Sequence, residues 1–324
     1  MQVDNSDADG FIKKAIKEGK LVRGLRIVQK DGKVFIPVTE RVEFRGAVPC
    51  FTNFQSRYKS SISRVISENI HSGEEKPKWQ RIGEAIIFSR NYGGLETIAR
   101  NLVESGMVKQ VYVNQGKIDG KIRKPTLLLV AGEAGDTIYR ENGVIFLTNP
   151  ANLMMSKGNI VERGLPSMGD FCPERVLDMF SGIGYFSLPL ARLNSVKVVQ
   201  CLDINGEALD YLSKSARING FQEKIRCKNL DCRLFKSKEK FDLVIMGNFK
   251  SKDYLSSALG HVSENGRIIL HHLELSENRY ESIMQIMKTG RMLGFNLIPM
   301  DSHVVKSYSP HVWHMSSLFR VTWH

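Results

Sequence analysis

Three aspartates are the residues best suited to chemistry, because each stands where a run of strand-forming residues ends. Asp178 lies in the first run, Asp203 ends the second and Asp231 follows the third. The carboxyl ends of parallel strands meet at one edge of a sheet, so these side chains are expected to line one site. A carboxylate at such a position can accept hydrogen bonds from both hydroxyls of a ribose. A solvated loop carboxylate is the alternative for each acid singly, but three in register favour a nucleoside site.

A glycine turn follows the first of these strands, in the run Asp-Met-Phe-Ser-Gly-Ile-Gly that begins at Asp178. Gly182 and Gly184 have no Cβ, so the backbone there can approach a ligand closely. The turn lacks the lysine of the phosphate-binding Gly-x-x-x-x-Gly-Lys pattern. The pattern therefore predicts a nucleoside without phosphate, and S-adenosylmethionine (SAM) rather than ATP or NAD. A turn that binds nothing is the alternative for the two glycines taken alone.

The elements that must position these residues alternate between strand and helix patterns. Around the glycine turn, helices are predicted at about 184–193, 207–219 and 277–293, and two closing strands near 296–305 and 313–323. This alternation predicts an α/β fold with a mostly parallel sheet, helices on both faces and an antiparallel closing pair.

Three parts are predicted along the chain. A linker-like run at 72–78 ends an N-terminal module, 1–78, and a small α+β module follows at 79–150. Within that module, 79–88 is predicted as one strand and 95–104 as a helix. The third part, 151–324, is the predicted SAM-binding domain. The pattern alone makes 149–163 a linker in which Arg163 would be solvated.

The charge of the chain favours a polyanionic partner. Its 324 residues carry a formal net charge of +12, and such an excess makes nucleic acid plausible. The densest basic patch lies in the 79–150 module and consists of Lys109, Lys117, Lys121, Arg123 and Lys124. Loops of folded modules commonly carry contacts, so the patch is predicted to bind nucleic acid, with a solvated surface as the alternative.

Other classes of protein are disfavoured by composition. The first residues are polar and no apolar run approaches the length of about 18 that spans a membrane, so no signal peptide or membrane span is expected. A cytoplasmic protein is inferred. The five cysteines include no Cys-x-x-Cys pair, so neither a zinc site nor a disulfide framework is expected.

Five segments, in the same order along the chain, carry a family resemblance. They are Tyr139-Arg-Glu-Asn-Gly143, Met155-Ser-Lys-Gly-Asn-Ile-Val-Glu-Arg163, Asp178-Met-Phe-Ser-Gly-Ile-Gly-Tyr-Phe186, Asp203-Ile-Asn205 and Val305-Lys-Ser-Tyr-Ser-Pro-His-Val-Trp-His314. Together they resemble archaeal and eukaryotic SAM enzymes that act on position 37 of tRNA, over about residues 25–324. The resemblance implies a Rossmann-like class I SAM-dependent transferase domain preceded by smaller α+β modules, with the anticodon loop of tRNA(Phe) as partner.

This superfamily has two branches. One methylates guanine at N1; the other belongs to the wybutosine pathway and transfers the 3-amino-3-carboxypropyl group of SAM to the tricyclic base 4-demethylwyosine. The methyltransferases usually carry a proline after the asparagine at the fourth strand end, whereas this chain reads Gly247-Asn-Phe-Lys250. The run from His271 to Glu277 resembles the aminocarboxypropyl branch. Aminocarboxypropyl transfer is therefore predicted, with methyl transfer the alternative that Asn248 keeps open, and a non-catalytic tRNA-binding protein with a degenerate SAM fold the third.

The resemblance also implies roles for individual residues. Those implied to bind the cofactor are Ser156, Arg163, Asp178, Phe180, Gly182, Gly184, Asp203, Ile204, Asn205, Asp231, Cys232 and Gly247. Arg163 would hold the carboxylate of the methionine chain, because a guanidinium fork matches that group. Asn248 and His271 are the catalytic candidates, for positioning the base or transferring its proton. His272 could take that proton instead, and a core-facing or tRNA-contacting histidine is the alternative for each. The target base would stack on an aromatic side chain, with Phe249, Tyr185 or Trp313 as candidates.

Overall fold

The computed structural model describes residues 1–22, 27–50, 61–70, 75–116, 124–155, 159–164, 169–278 and 280–323. Contacts within the chain divide it into two compact units, Met1–Lys76 and Pro77–His324. The division into three parts stays a prediction. Within the described ranges, no helix is both long and apolar enough to span a membrane.

The first unit is built on a three-stranded antiparallel sheet with the strand order β1-β3-β2. Its elements are β1 (Gln2–Asp4), α1 (Ala8–Lys17), β2 (Val28–Lys30), β3 (Lys33–Phe35) and α2 (Ile62–Glu68). Helix α1 buries Phe11 and Ala15, four positions apart and therefore on one helix face, in a core with Val3 and Val34.

The second unit opens with a four-stranded sheet of order β4-β5-β6-β7. Its elements are β4 (Trp79–Ile82), β5 (Ala85–Phe88), α3 (Leu95–Glu104), β6 (Gln110–Asn114) and β7 (Leu127–Gly132). The prediction of one strand over 79–88 is wrong, because Gly83 takes φ +56° and the chain reverses there into two antiparallel strands. Helix α3 spans the predicted range.

A two-stranded hairpin, β8 (Thr137–Glu141) and β9 (Val144–Thr148), comes next. The helix α5 (Gly206–Ile218) binds the backbone of β9 through two side chains: Ser215 within the helix and Asn219 at its C-cap. Asn219 accepts from the Ile145 N–H at 2.9 Å and donates to its carbonyl at 2.6 Å, and Ser215 accepts from the Leu147 N–H at 3.0 Å. The helix therefore takes the place of a neighbouring strand along this edge of the hairpin.

A seven-stranded sheet dominates the second unit, with the order β12-β11-β10-β13-β14-β16-β15. Besides α5, its elements are β10 (Arg175–Asp178), α4 (Ser187–Ala191), β11 (Val198–Asp203), β12 (Ile225–Asn229), β13 (Phe241–Met246), α6 (Leu255–Leu259), β14 (Val262–Leu275), α7 (Glu281–Met292), β15 (Phe295–Ser309) and β16 (Val312–Trp323). Strands β10 to β14 run parallel, whereas β16 is antiparallel to both β14 and β15. The predicted α/β fold with its antiparallel closing strands is confirmed.

The strand order reverses between β10 and β13, which fixes where a ligand can bind. From β10 the chain steps outward to β11 and β12, then crosses back to β13 on the other side. A crevice opens outside the carboxyl ends of the strands at such a switch point. Gly184 lets α5 approach the turn above β10: its φ is +92°, and a Cβ there would lie 2.3 Å from Leu212 Cδ1.

Candidate active site

Asp203 and the glycine turn form one hydrogen-bonded unit at the end of β11. The Gly182 N–H donates to Asp203 Oδ2 at 2.7 Å, and the Asn205 N–H donates to Oδ1 at 2.9 Å. Gly182 has φ +52°, and open space lies where its Cβ would be. Partial burial raises the pKa of Asp203, although the N–H donors oppose the shift. The geometry places a fixed carboxylate beside bare backbone, as a ribose-binding site requires.

Asp178 supports this turn from behind. Its side chain is fully buried, and it accepts from Ser187 Oγ at 2.7 Å and from the Phe180 N–H at 3.3 Å. Burial raises the pKa of Asp178 to about 7. With no exposed surface, its carboxylate shapes the wall of the site and does not present an oxygen to the crevice.

The residues after β11 and β12 differ in how much they leave exposed. Ile204, next to Asp203, is exposed, and Asn205 caps α5 by accepting from the Ala208 N–H. Asp231 caps the short 3-10 helix Cys232–Leu234 and is bound by the guanidinium of Arg233. Cys232 is buried, which raises the pKa of its thiol to about 11. Ile204 can therefore pack on a flat ligand, while Asp231 already has a cation.

Arg163 is buried, contrary to the solvated side chain that its linker-like setting predicts. Its Nη1 donates to both carboxylate oxygens of Glu141 at 2.9 Å, and its guanidinium lies 3.7 Å above the Tyr185 ring. The Tyr185 hydroxyl donates to the Met154 carbonyl at 3.3 Å. Glu141 and Tyr185, neither recognisable as a partner in the sequence, remove Arg163 from solvent. Tyr185 is thereby covered by the guanidinium, which leaves Phe249 better placed than Tyr185 to meet a base.

Strands β14, β15 and β16 and the 3-10 helix Glu162–Gly164 bring together a second group, the histidine cluster: His271, His303, His314, Ser316 and Glu162. His271 Nδ1 and His314 Nε2 are 2.8 Å apart. Glu162 receives Ser316 Oγ at 2.5 Å and His303 Nε2 at 2.8 Å. The register explains the cluster, because Ser316 of the central strand β16 lies opposite both His271 and His303.

The electrostatics of the cluster separate neutral from charged histidines. Burial lowers the pKa of His271 to about 3 and that of His314 to about 4, so both are neutral near pH 7. Burial also opposes charge on His303, but its hydrogen bonds to the carboxylates of Glu162 and Asp301 raise its pKa. Among the residues the structure describes, His271 Nε2 and His314 Nδ1 have no hydrogen-bond partner. The former lies 3.9 Å from Glu162 Oε1.

The loop after β13 links the turn to the histidine cluster. A Cβ on Gly247 would lie 3.1 Å from the Phe186 ring, and the Phe186 ring centroid lies 5.3 Å from that of His271. Asn248 Oδ1 accepts from the Lys250 N–H at 2.9 Å, which turns the carboxamide oxygen back onto its own loop. The structure therefore gathers the glycine turn, the Asn248 loop and His271 at one end of the sheet.

Other predicted residues lie elsewhere or cannot be placed. Lys109 pairs with Glu84 at the surface at 2.7 Å, and Lys124 is exposed. Ser156, Lys117, Lys121 and Arg123 fall outside the described residues. Glu141, Glu162 and His303 are not singled out by sequence reasoning. The alternation of His314 and Ser316 on one strand is the signal that could have placed those two on the same face.

The fold and the site together define an α/β, Rossmann-like nucleoside-binding domain of the transferase type. Residues 137–296 match the family model described as TRM5/TYW2 methyltransferase domain. The chain is 31% identical over 242 residues to the tRNA(Phe) (4-demethylwyosine(37)-C(7)) aminocarboxypropyltransferase of Methanocaldococcus jannaschii, a match that covers 74% of this chain and 95% of that protein. The protein belongs to the TRM5/TYW2 family, which confirms the resemblance read from the sequence.

Solved structures share this fold. The M. jannaschii TYW2 structure in complex with AdoMet is 26% identical, has a TM-score of 0.62 and covers 76% of this chain and 100% of its own. Trm5b from Pyrococcus abyssi, 24% identical, has a TM-score of 0.69 and covers 99% of this chain and 98% of its own. The second likeness extends the shared fold over nearly the whole chain.

Proposed function

We infer that the protein is a SAM-dependent tRNA aminocarboxypropyltransferase. It transfers the 3-amino-3-carboxypropyl group of SAM to carbon 7 of 4-demethylwyosine at position 37 of tRNA(Phe). The observation that carries this function is the 31% identity to the M. jannaschii enzyme of that activity, over 95% of its length. The loop at Gly247–Lys250, which lacks the proline of the methylating branch, supports the same choice.

The residues at the sheet end fit SAM. Asp203 is held by two N–H donors and can receive ribose hydroxyls, and exposed Ile204 can pack against the adenine. We propose that Arg163 and Ser156 meet the methionine end. The family resemblance assigns this role to Arg163, since a guanidinium fork matches a carboxylate. When bound, SAM supplies an electrophilic carbon next to its sulfonium, and methylthioadenosine is the product that leaves.

The chain's own residues then orient the base and take its proton. The ring carbon that attacks must lose a proton, and a neutral imidazole can accept it. We propose His271 for this task. Burial lowers its pKa to about 3, so it can accept the proton only if Glu162, 3.9 Å from its Nε2, stabilises the imidazolium. Asn248 is proposed to position the base through its amide nitrogen, since its oxygen is bound to Lys250.

The substrate is a tRNA, and we propose that its anticodon loop is the part that enters the site. The basic patch, Lys109, Lys117, Lys121, Arg123 and Lys124, is proposed to hold phosphates, which gives affinity without sequence information. We propose the cytoplasm as the compartment, because the substrate is a tRNA.

Two labels test the reaction directly. SAM carrying label in its carboxyl carbon or in its methyl group is incubated with the protein and tRNA(Phe) that bears 4-demethylwyosine, and in parallel with tRNA(Phe) that bears guanosine. Carboxyl label in the tRNA is the expected result. Entry of methyl label alone, above all into the guanosine substrate, would replace this function by methyl transfer.

A further inference from the structure

Two aromatic rings meet nearly at right angles at the base-facing side of the site. The Phe249 and Tyr308 centroids are 5.1 Å apart with 74° between the ring planes. Phe249 meets the buried His314 in the same way, at 4.8 Å and 74°. Tyr308 nevertheless remains 53% exposed. His314 therefore fixes the Phe249 ring from inside the protein. Tyr308 forms the second side of an apolar corner that is open to solvent.

The corner lies at the same end of the sheet as the glycine turn. Phe249 follows the carboxyl end of β13, next to the Asn248 loop. Tyr308 stands at the far end of β15, beside the turn that leads into β16, where Val312 lies opposite Leu275 at the carboxyl end of β14. Because β13 and β14 are parallel, both rings lie at the edge where the strand-end acids lie.

We propose that Phe249 and Tyr308 form the platform that receives the target base once it leaves the anticodon stack. A planar base can stack on one ring while its edge meets the face of the other, and both arrangements are favourable for aromatic pairs. Unstacked RNA bases are recognised on aromatic side chains in this manner. This proposal rests on the proposed function and assigns to Tyr308 a specificity role for the tricyclic base.

Charge favours RNA over an apolar partner at this surface. Lys250, the residue after Phe249, is exposed and its backbone bridges to His272 of β14. A phosphate next to a base stacked in the corner would lie within reach of an ammonium group on the same loop. The net charge of +12 on the chain agrees with an anionic occupant.

A base-dependent binding ratio tests the platform. The dissociation constant of the full-length protein is measured for tRNA(Phe) with 4-demethylwyosine at position 37 and for the same tRNA with an abasic residue there. Stacking of one base on an aromatic side chain changes affinity by about fivefold or more, so the wild-type ratio should be at least of that size. Tyr308→Ala should lower the ratio severalfold, with Phe249 keeping the remainder, and should raise KM for tRNA more than it lowers kcat.

Matched variants keep the result interpretable. Tyr308→Phe retains the ring and should retain the ratio. Tyr280→Ala removes a tyrosine that is 67% exposed at the start of α7, and should also retain it. Thermal unfolding of each variant checks that the domain is intact. If the wild type transfers carboxyl label but Tyr308→Ala keeps the full ratio, the platform is wrong and the function stands. If the wild type transfers no carboxyl label, both the proposed function and the proposed platform are wrong.

Discussion

The two sides of the site differ in how completely their polar atoms are bound. On the glycine-turn side, Asp178 and Asp203 each have both carboxylate oxygens engaged by a nearby N–H or hydroxyl. In the histidine cluster, His271 Nε2 and His314 Nδ1 lack a hydrogen-bond partner among the described residues, although both side chains are almost fully buried. Buried polar atoms without partners are costly, and such costs are commonly found at functional sites.

This difference assigns ligand binding to the glycine-turn side and catalysis to the histidine cluster. A carboxylate fixed by its own loop loses little freedom when a ligand binds, which suits affinity. A neutral imidazole with an unused nitrogen can still accept a proton, which suits turnover. We therefore expect variants on the glycine-turn side to change cofactor affinity, and variants in the histidine cluster to change kcat.

The largest effect is expected for His271→Asn. The amide can keep the contact with His314 but removes Nε2, so turnover should fall about a hundredfold, as expected for loss of a general base. The dissociation constant for SAM should stay unchanged. His272→Asn is the control, since His272 is equally buried but points to the opposite face of β14. Equal losses in the two variants would mean that packing, not proton transfer, is affected.

Asp203→Ala should produce the next largest effect, on the other side of the comparison. Hydrogen bonds to a charged group contribute about 1.5–3 kcal/mol, so SAM binding should weaken about tenfold to a hundredfold. Calorimetry measures this affinity without tRNA. Asp210→Ala on α5 removes an exposed carboxylate of the same region and should leave the affinity as it is. An Asp203→Ala protein that binds SAM normally would remove Asp203 from the site.

The two sides should also respond to pH with opposite signs. The folded pKa of Asp178, about 7, lies above its ordinary value of 3.8, so its contribution to stability falls as pH rises from about 4 to 7. The folded pKa of His314, about 4, lies below 6.5, so its contribution falls as pH drops from about 6.5 to 4. Each slope is at most about 1.4 kcal/mol per pH unit.

Denaturant unfolding of Asp178→Asn and His314→Gln between pH 4 and 7 measures these slopes. Relative to the wild type, Asp178→Asn should gain stability as pH rises, whereas His314→Gln should lose it. Parallel curves for the two variants would contradict the opposite pKa shifts of Asp178 and His314.

The smallest effect is expected for Asp231→Asn. Its carboxylate already pairs with Arg233 at a partly exposed position, and such pairs contribute about 0–1 kcal/mol. SAM affinity should therefore change by no more than a few fold. A loss as large as that of Asp203→Ala would place Asp231 among the principal cofactor ligands.

Local patterns in the sequence predicted the glycine-turn side of the site but not most of the histidine cluster. The turn, Asp203 and the alternation of strands and helices arise from residues close together in the chain. The contacts of Glu162 with Ser316 and His303 join residues 154 and 141 positions apart. Such pairs depend on the register of β15 against β16, which no local pattern specifies.

The prediction that Arg163 is solvated was wrong for the same reason. Its partner Glu141 ends β8, a strand that was not predicted, and the two side chains meet only because the hairpin folds back. The prediction of one strand over 79–88 was wrong because of Gly83. Its positive φ cannot be predicted from the apolar run in which it lies. Membership of the family, by contrast, rested on the order of several motifs and needed no register.

The hydrogen bonds between α5 and β9 control hydrogen exchange in the hairpin. The amide protons of Ile145 and Leu147 are held by side chains at the carboxyl end of a helix whose amino end is capped by Asn205, beside Asp203. These protons can exchange only when Asn219 and Ser215 release them. Their exchange rates therefore report the integrity of α5 from positions 74 and 68 residues away in the chain. A nucleoside that steadies the Asp203 loop would be recorded as slower exchange in the hairpin that carries Glu141.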